Sequence, residues 1–172
     1  MIEGIVFDLD GVICSTDEYH YLAWKKIADQ EGIYFDRNIN NRLRGVSRMA
    51  SLDIILERAK KNYSPAEKLA LATAKNETYR SLLANLRPED VAPSVIVTLK
   101  WLKAERIFAA IGSSSKNTKT ILDRIGLLKA FDVIVDGNDI SNSKPDPEVF
   151  LKAAARLGLK PSACIVVEDA YA

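Results

Sequence analysis

With 172 residues, 48% hydrophobic and 27% charged, the chain has the composition of a globular protein built on one sizeable core, with room for an insertion. Its 24 basic and 23 acidic residues are spread along the sequence and leave a formal net charge of +1. That balance gives no electrostatic footprint for nucleic acid or an anionic membrane, and a small molecule is the expected partner. No apolar run approaches the roughly 20 residues of a bilayer span. Cys14 and Cys164 lie in apolar stretches without metal-ligand spacing, so the expectation is a cytoplasmic chain with two reduced core thiols, no disulfide and no zinc site.

In chain order, Ile2 to Phe7 reads as a short buried strand running into Asp8, Asp10 and the turn residue Gly11. Residues 16–87 contain no strand-like run and read as three or four amphipathic helices. Tyr19, Leu22, Ala23 and Ile27 mark one; Leu52, Ile55 and Leu56 another; Leu69, Leu71, Ala72, Tyr79, Leu82 and Leu83 a third. Alternation then begins. Apolar strands are expected at Ile107–Ile111, Val133–Val135 and Cys164–Val167, and helices at Ser94–Glu105, Asn117–Ile125 and Pro147–Leu157, the last with Pro147 in its first turn and Gly158 as its C-terminal cap. This order implies a doubly wound α/β fold with a parallel sheet, formed by residues 1–15 and 88–172, with a helical insertion at 16–87. Ligands of such sheets bind beyond the carboxyl ends of the strands, where all four strands end in polar residues. An insertion at that end is expected to act as a lid that excludes water.

Asp8 and Asp10 are two residues apart at a strand end, so both can point one way while Leu9 packs the other. One carboxylate can attack phosphorus while the other moves a proton; taken alone, the pair reads equally well as an acidic turn closed by Gly11. Ser113 follows the second strand and can donate to a phosphoryl oxygen, with Ser114, Ser115, Lys116 and Asn117 as further donors where a helix starts; a serine-rich helix cap is the bland reading. Lys144, before Pro145, offers a cation to a transferring phosphate. Glu168 and Asp169 end the fourth strand as adjacent carboxylates that would repel each other unless they share a cation, for which Mg²⁺ is suited.

Together, DxDGV, a strand-end Ser, Lys-Pro and Glu-Asp, in that order, resemble the four motifs of the haloacid dehalogenase superfamily, which implies a Rossmann-like core. The segments FDLDGVICSTDEYHYLAW, RGVSRMASL, AKNETY and GSSSKN are similar to the β-phosphoglucomutase family across essentially the whole chain. The resemblance implies that Asp8 is phosphorylated and that Asp10 is its acid/base partner. It further implies that Asp8, the main chain of Asp10, Glu168 and Asp169 hold Mg²⁺, and that Ser113 and Lys144 hold the phosphoryl group. From the insertion it implies substrate-side roles for Thr16, His20, Trp24, Gly45, Val46, Ser47, Arg48, Ser51, Lys75 and Asn76. Arg48 grips a distal phosphate in this picture, His20 couples substrate to Asp10, and Ser115, Lys116 and Asn117 complete the distal site. Read from the residues alone, Trp24 is more simply part of the core of the insertion.

The implied reaction interconverts β-glucose 1-phosphate and glucose 6-phosphate through a bisphosphate, in a monomer. A sugar-phosphate phosphatase would use the same core residues with water as acceptor. The family also continues past Ala172 for about another helix, strand and helix, so the resemblance predicts a core lacking its last part. An inactive, sugar-phosphate-binding fragment is therefore a third reading.

Overall fold

The computed structural model describes residues 1–170; the expected continuation beyond Ala172 lies outside the described residues. The chain divides into two compact units, one of residues 1–15 with 85–170 and the other of residues 16–84.

The first unit is built on four parallel strands, β1 (Gly4–Phe7), β2 (Phe108–Gly112), β3 (Val133–Val135) and β4 (Cys164–Val167), in the order β3-β2-β1-β4. β1 is central, paired with β2 from Gly4↔Phe108 to Phe7↔Ile111 and with β4 from Gly4↔Cys164 to Phe7↔Val167. These short apolar runs suit a parallel sheet, whose inner strands are covered on both faces. One face meets helix α7 (Glu148–Arg156), where Val6, Ala110 and Val135 bury against Val149 and Ala153. Phe7, one residue along, points to the opposite face and meets the Phe131 ring edge-on at 6.4 Å. Helix α5 (Pro93–Ala104) packs against β2, and α6 (Thr118–Arg124) buries Ile121 and Leu122.

The strands start later than the apolar runs suggest. Ile2 precedes β1 and is 40% exposed, and β2 begins at Phe108 and runs on through Gly112. Gly112 is tight for any side chain, since a Cβ there would lie 2.9 Å from the Phe150 ring. The expectation of two core thiols holds only for Cys14, which is buried and pushed up to about 12, by burial first and then by the nearby Asp10, Asp90 and Asp8 charges. Cys164 is half-exposed, on a strand that lies at the edge of the sheet among the described residues and whose Ile165 and Val166 also reach solvent. Pro147 caps α7 rather than entering it, and Gly158 adopts φ +74° just after the helix, a conformation glycine reaches without penalty. α5 buries only Leu102 fully and leaves Trp101 53% exposed.

The second unit holds four helices, α1 (Asp17–Gln30), α2 (Arg37–Asn41), α3 (Arg48–Leu56) and α4 (Pro65–Leu83). Their starts are chemically marked. Asp36 accepts from the Ile39 amide at 2.9 Å, Ser47 from the Ala50 amide at 3.3 Å, and Ser64 with Glu67 closes a reciprocal capping box ahead of Pro65. Trp24, Ile27, Ala28, Ile33, Phe35, Ile39, Leu52, Ile55 and Ala72 form the core of this unit. Leu22 and Leu69, which mark helices in the sequence, are exposed. Ile55→Ala removes a fully buried side chain from this small core and should cost about 2–5 kcal/mol. Hydrogen exchange should show lost protection across residues 16–84 with the sheet amides of the other unit unchanged.

Candidate active site

β1 delivers Asp8 to the carboxyl end of the sheet, and the ladder persists one step further, since the Asp8 amide donates to the Val167 carbonyl at 2.9 Å. Asp8 is 8% exposed. A carboxylate this buried needs a cation, and Lys144 supplies it. Its ammonium donates to Asp8 Oδ1 at 2.7 Å and to Glu168 Oε2 at 2.5 Å, with the lysine side chain itself 8% exposed. The Phe150 ring, its centroid 4.7 Å from the ammonium, covers the cation from α7. Burial is the main influence on the Asp8 carboxyl and raises it above its ordinary value; Lys144 pulls the other way and Glu168 adds to the rise.

Carboxylate oxygens of Asp8, Glu168 and Asp169 all come within 4.8 Å of one another. Three hard oxygen donors so close fit a divalent cation with room for water in its shell. The Asp10 carboxylate is not in this cluster. After Asp10 the chain turns sharply, with the Gly11 amide donating to the Cys14 carbonyl at 2.8 Å and the Ile13 amide to the Leu9 carbonyl at 2.9 Å. Gly11 is required twice over: its φ is +88°, and a Cβ would lie 2.2 Å from an Asp169 carboxylate oxygen.

The remaining core donors form a second loop at the end of β2. Ser113 is buried and its hydroxyl accepts from the Ser115 amide at 3.2 Å, while Ser115 Oγ accepts from the Asn117 amide at 3.2 Å. Ser114 Oγ accepts from the Lys144 amide at 3.3 Å and so joins the two loops. Lys116 is exposed and Asn117 buried, both ahead of α6, which starts only at Thr118.

In the helical unit, Lys75 and Ser51 are 3% exposed and Trp24 is 2% exposed, as part of the core. The Lys75 ammonium lies 2.8 Å from His20 Nδ1 and faces the rings of Trp24 and Tyr79, at 4.9 and 4.6 Å from their centroids. The buried Thr16 and Tyr79 hydroxyls are hydrogen-bonded at 2.8 Å. Burial first, then the Lys75 and Arg48 charges, hold His20 well below its ordinary value. Gly45, Val46 and Ser47 lead into α3, whose first residue is the half-buried Arg48, and Asn76 follows Lys75 on α4.

Residues 2–172 match the family model described as haloacid dehalogenase-like hydrolase. The chain belongs to the haloacid dehalogenase-like hydrolases. Among members of this family, it is 46% identical to a β-phosphoglucomutase of Bacillus subtilis, over 99% of this chain and 76% of the relative. It is 32% identical to a fructose-1-phosphate phosphatase of Escherichia coli, over 97% and 86%. The crystal structure of a β-phosphoglucomutase from Clostridium difficile superposes with a TM-score of 0.93 at 42% identity, covering 99% of this chain and 77% of that one.

Residues not singled out in the sequence hold this haloacid dehalogenase-like site in shape. Buried Asp136, after β3, accepts from the Asn138 amide at 2.8 Å; Asn138 Nδ2 donates to the Lys116 carbonyl at 3.2 Å, and the Gly137 amide to that of Ser115 at 3.1 Å. Gly137 packs so closely that a Cβ would lie 2.3 Å from the Ser114 carbonyl oxygen. Glu148 clamps the loop before Lys144, accepting from the Ser141 amide at 3.1 Å and the Asn142 amide at 2.7 Å; the Lys152 hydrogen bond first, then these amides, lower its carboxyl to about 2. The Asp-Gly pair after a strand was the available signal for the first of these clamps. Lys144→Met would leave three carboxylates facing one another and should cost about 3–5 kcal/mol. In thermal melts, a divalent cation should raise the midpoint of this variant more than that of the wild type.

Proposed function

We propose that the chain interconverts β-glucose 1-phosphate and glucose 6-phosphate as a β-phosphoglucomutase. The observation that carries this reading is the buried Asp8 carboxylate, 2.7 Å from the Lys144 ammonium, in a chain 46% identical to a β-phosphoglucomutase. In its phosphorylated form Asp8 gives its phosphoryl group to the carbon-6 hydroxyl of β-glucose 1-phosphate; the bond from phosphorus to Asp8 breaks as the bond to the sugar oxygen forms. Asp10 takes the hydroxyl proton. The resulting bisphosphate then presents its other phosphate, Asp8 attacks that phosphorus, and Asp10 returns the proton to the departing anomeric oxygen. Glucose 6-phosphate leaves and phospho-Asp8 is restored.

In this reading Lys144 and Ser113 hold the transferring group, and positioning with charge neutralisation supplies most of the rate. Asp8, Glu168 and Asp169 would hold Mg²⁺, which supplies further neutralisation of the phosphoryl oxygens when bound. Arg48 serves the phosphate that is not reacting, a task suited to a guanidinium fork. The helical unit, residues 16–84, works as the cap of the enzyme, and the protein acts as a cytoplasmic monomer.

The 32% identity to a fructose-1-phosphate phosphatase gives the competing reading, in which water takes the phosphoryl group. Incubation with β-glucose 1-phosphate, the catalytic bisphosphate and Mg²⁺ separates the two. The mutase reading requires glucose 6-phosphate to accumulate without net inorganic phosphate; release of inorganic phosphate alone would overturn it. Asp8→Asn should abolish turnover, and Asp10→Asn should lower kcat by about 10²–10⁴-fold.

A further inference from the structure

Helix α7 grips the chain that leads to Lys144 at three levels. Its buried side, Val149 and Ala153, packs on the sheet beside Val6, two residues before Asp8. Glu148, Lys152 and Arg156 follow one another a turn apart on one face of the helix, and all three reach the segment between β3 and α7. Arg156 donates to the Ile134 carbonyl at 3.2 Å and to Asp139 Oδ1 at 2.7 Å. Lys152 donates to the Asp139 carbonyl at 2.8 Å and to Glu148 Oε1 at 2.5 Å. Glu148 Oε2 accepts from the Ser141 amide at 3.1 Å and from the Asn142 amide at 2.7 Å. Lys144 stands two residues beyond the second of these amides. Its own amide donates to Ser114 Oγ at 3.3 Å, a long bond between neutral groups, whereas the bonds to the Glu148 carboxylate are charge-assisted and stronger.

We infer that Glu148 is a positioning residue for phosphoryl transfer: by tying the Ser141 and Asn142 amides to a helix anchored on the sheet, it sets where the Lys144 backbone stands and so keeps the Lys144 ammonium on Asp8. Glu148 acts through Lys144 and not on the reacting atoms. Its task in turnover rests on the mutase reading; the clamp on the loop does not.

Glu148→Met and Glu148→Gln are similar in length and both neutral. They lose the favourable charge at the helix start equally, and differ in whether an oxygen remains for the two amides. Hydrogen exchange followed by NMR on the ligand-free chain reads the loop at the Lys144 amide, which bonds to Ser114. Exchange there should quicken by about tenfold or more in Glu148→Met and stay within about threefold of the wild type in Glu148→Gln. In the product assay Glu148→Met should lower kcat by about 10–10²-fold while KM changes by less than about threefold, and Glu148→Gln should keep most of the rate. Glu148→Ala decides the matter if Glu148→Met does not fold. A Lys144 amide that exchanges freely in the wild type, unchanged exchange or unchanged kcat in the folded Met or Ala variant, or equal losses in Gln and Met would each overturn the proposal. The exchange measurement needs no substrate. A chain that releases only inorganic phosphate would therefore sink the mutase reading and leave the clamp to be decided by exchange alone.

Discussion

The first unit is organised around one buried cation. Asp8 and Glu168 stand at the ends of adjacent strands, and parallel pairing of β1 with β4 sets them side by side whether or not their charges agree. Two carboxylates so placed, one of them almost fully buried, would work against folding without a compensating charge. Lys144 supplies it from a loop 136 residues away in sequence from Asp8. The sheet thus creates an electrostatic demand that a distant loop meets.

That dependence explains how much of the unit is devoted to holding Lys144. Its amide is tied to Ser114, Glu148 gathers the amides ahead of it, and Phe150 shields its head group. The β2 and β3 loops brace one another through Asn138 and Gly137. A cation fixed by packing and hydrogen bonds needs little rearrangement when charge shifts across it, which is the physical basis of electrostatic preorganisation. The helical unit solves a related problem with aromatic surfaces in place of carboxylates, placing Lys75 between Trp24 and Tyr79.

The parallel sheet was legible because buried parallel strands are short unbroken apolar runs ending in polar turns, and β3 and β4 fall where those runs lie. The ends were less legible. Ile2 and Ile107 continue the apolar pattern but sit outside the ladder, since hydropathy does not reveal where pairing begins. Cys164 reads as core by its neighbours and is half-exposed because strand order, which no local pattern encodes, puts β4 at the edge among the described residues. Helix α2, only five residues long, is too brief for a periodicity. The residue types at the strand ends announced phosphoryl chemistry, yet the bridging of Asp8 and Glu168 by one ammonium, and the contact of Gly11 with Asp169, exist only in three dimensions.

The two tryptophans fall one to each unit, Trp24 2% exposed in the helical core and Trp101 53% exposed on α5. Indole emission depends on the polarity around the ring and on access by dissolved quenchers. The chain therefore carries two intrinsic optical reporters of opposite character. A shielded, short-wavelength signal belongs to the helices, a quenchable, long-wavelength signal to the sheet, and each unit's integrity can be followed in one cuvette without any label.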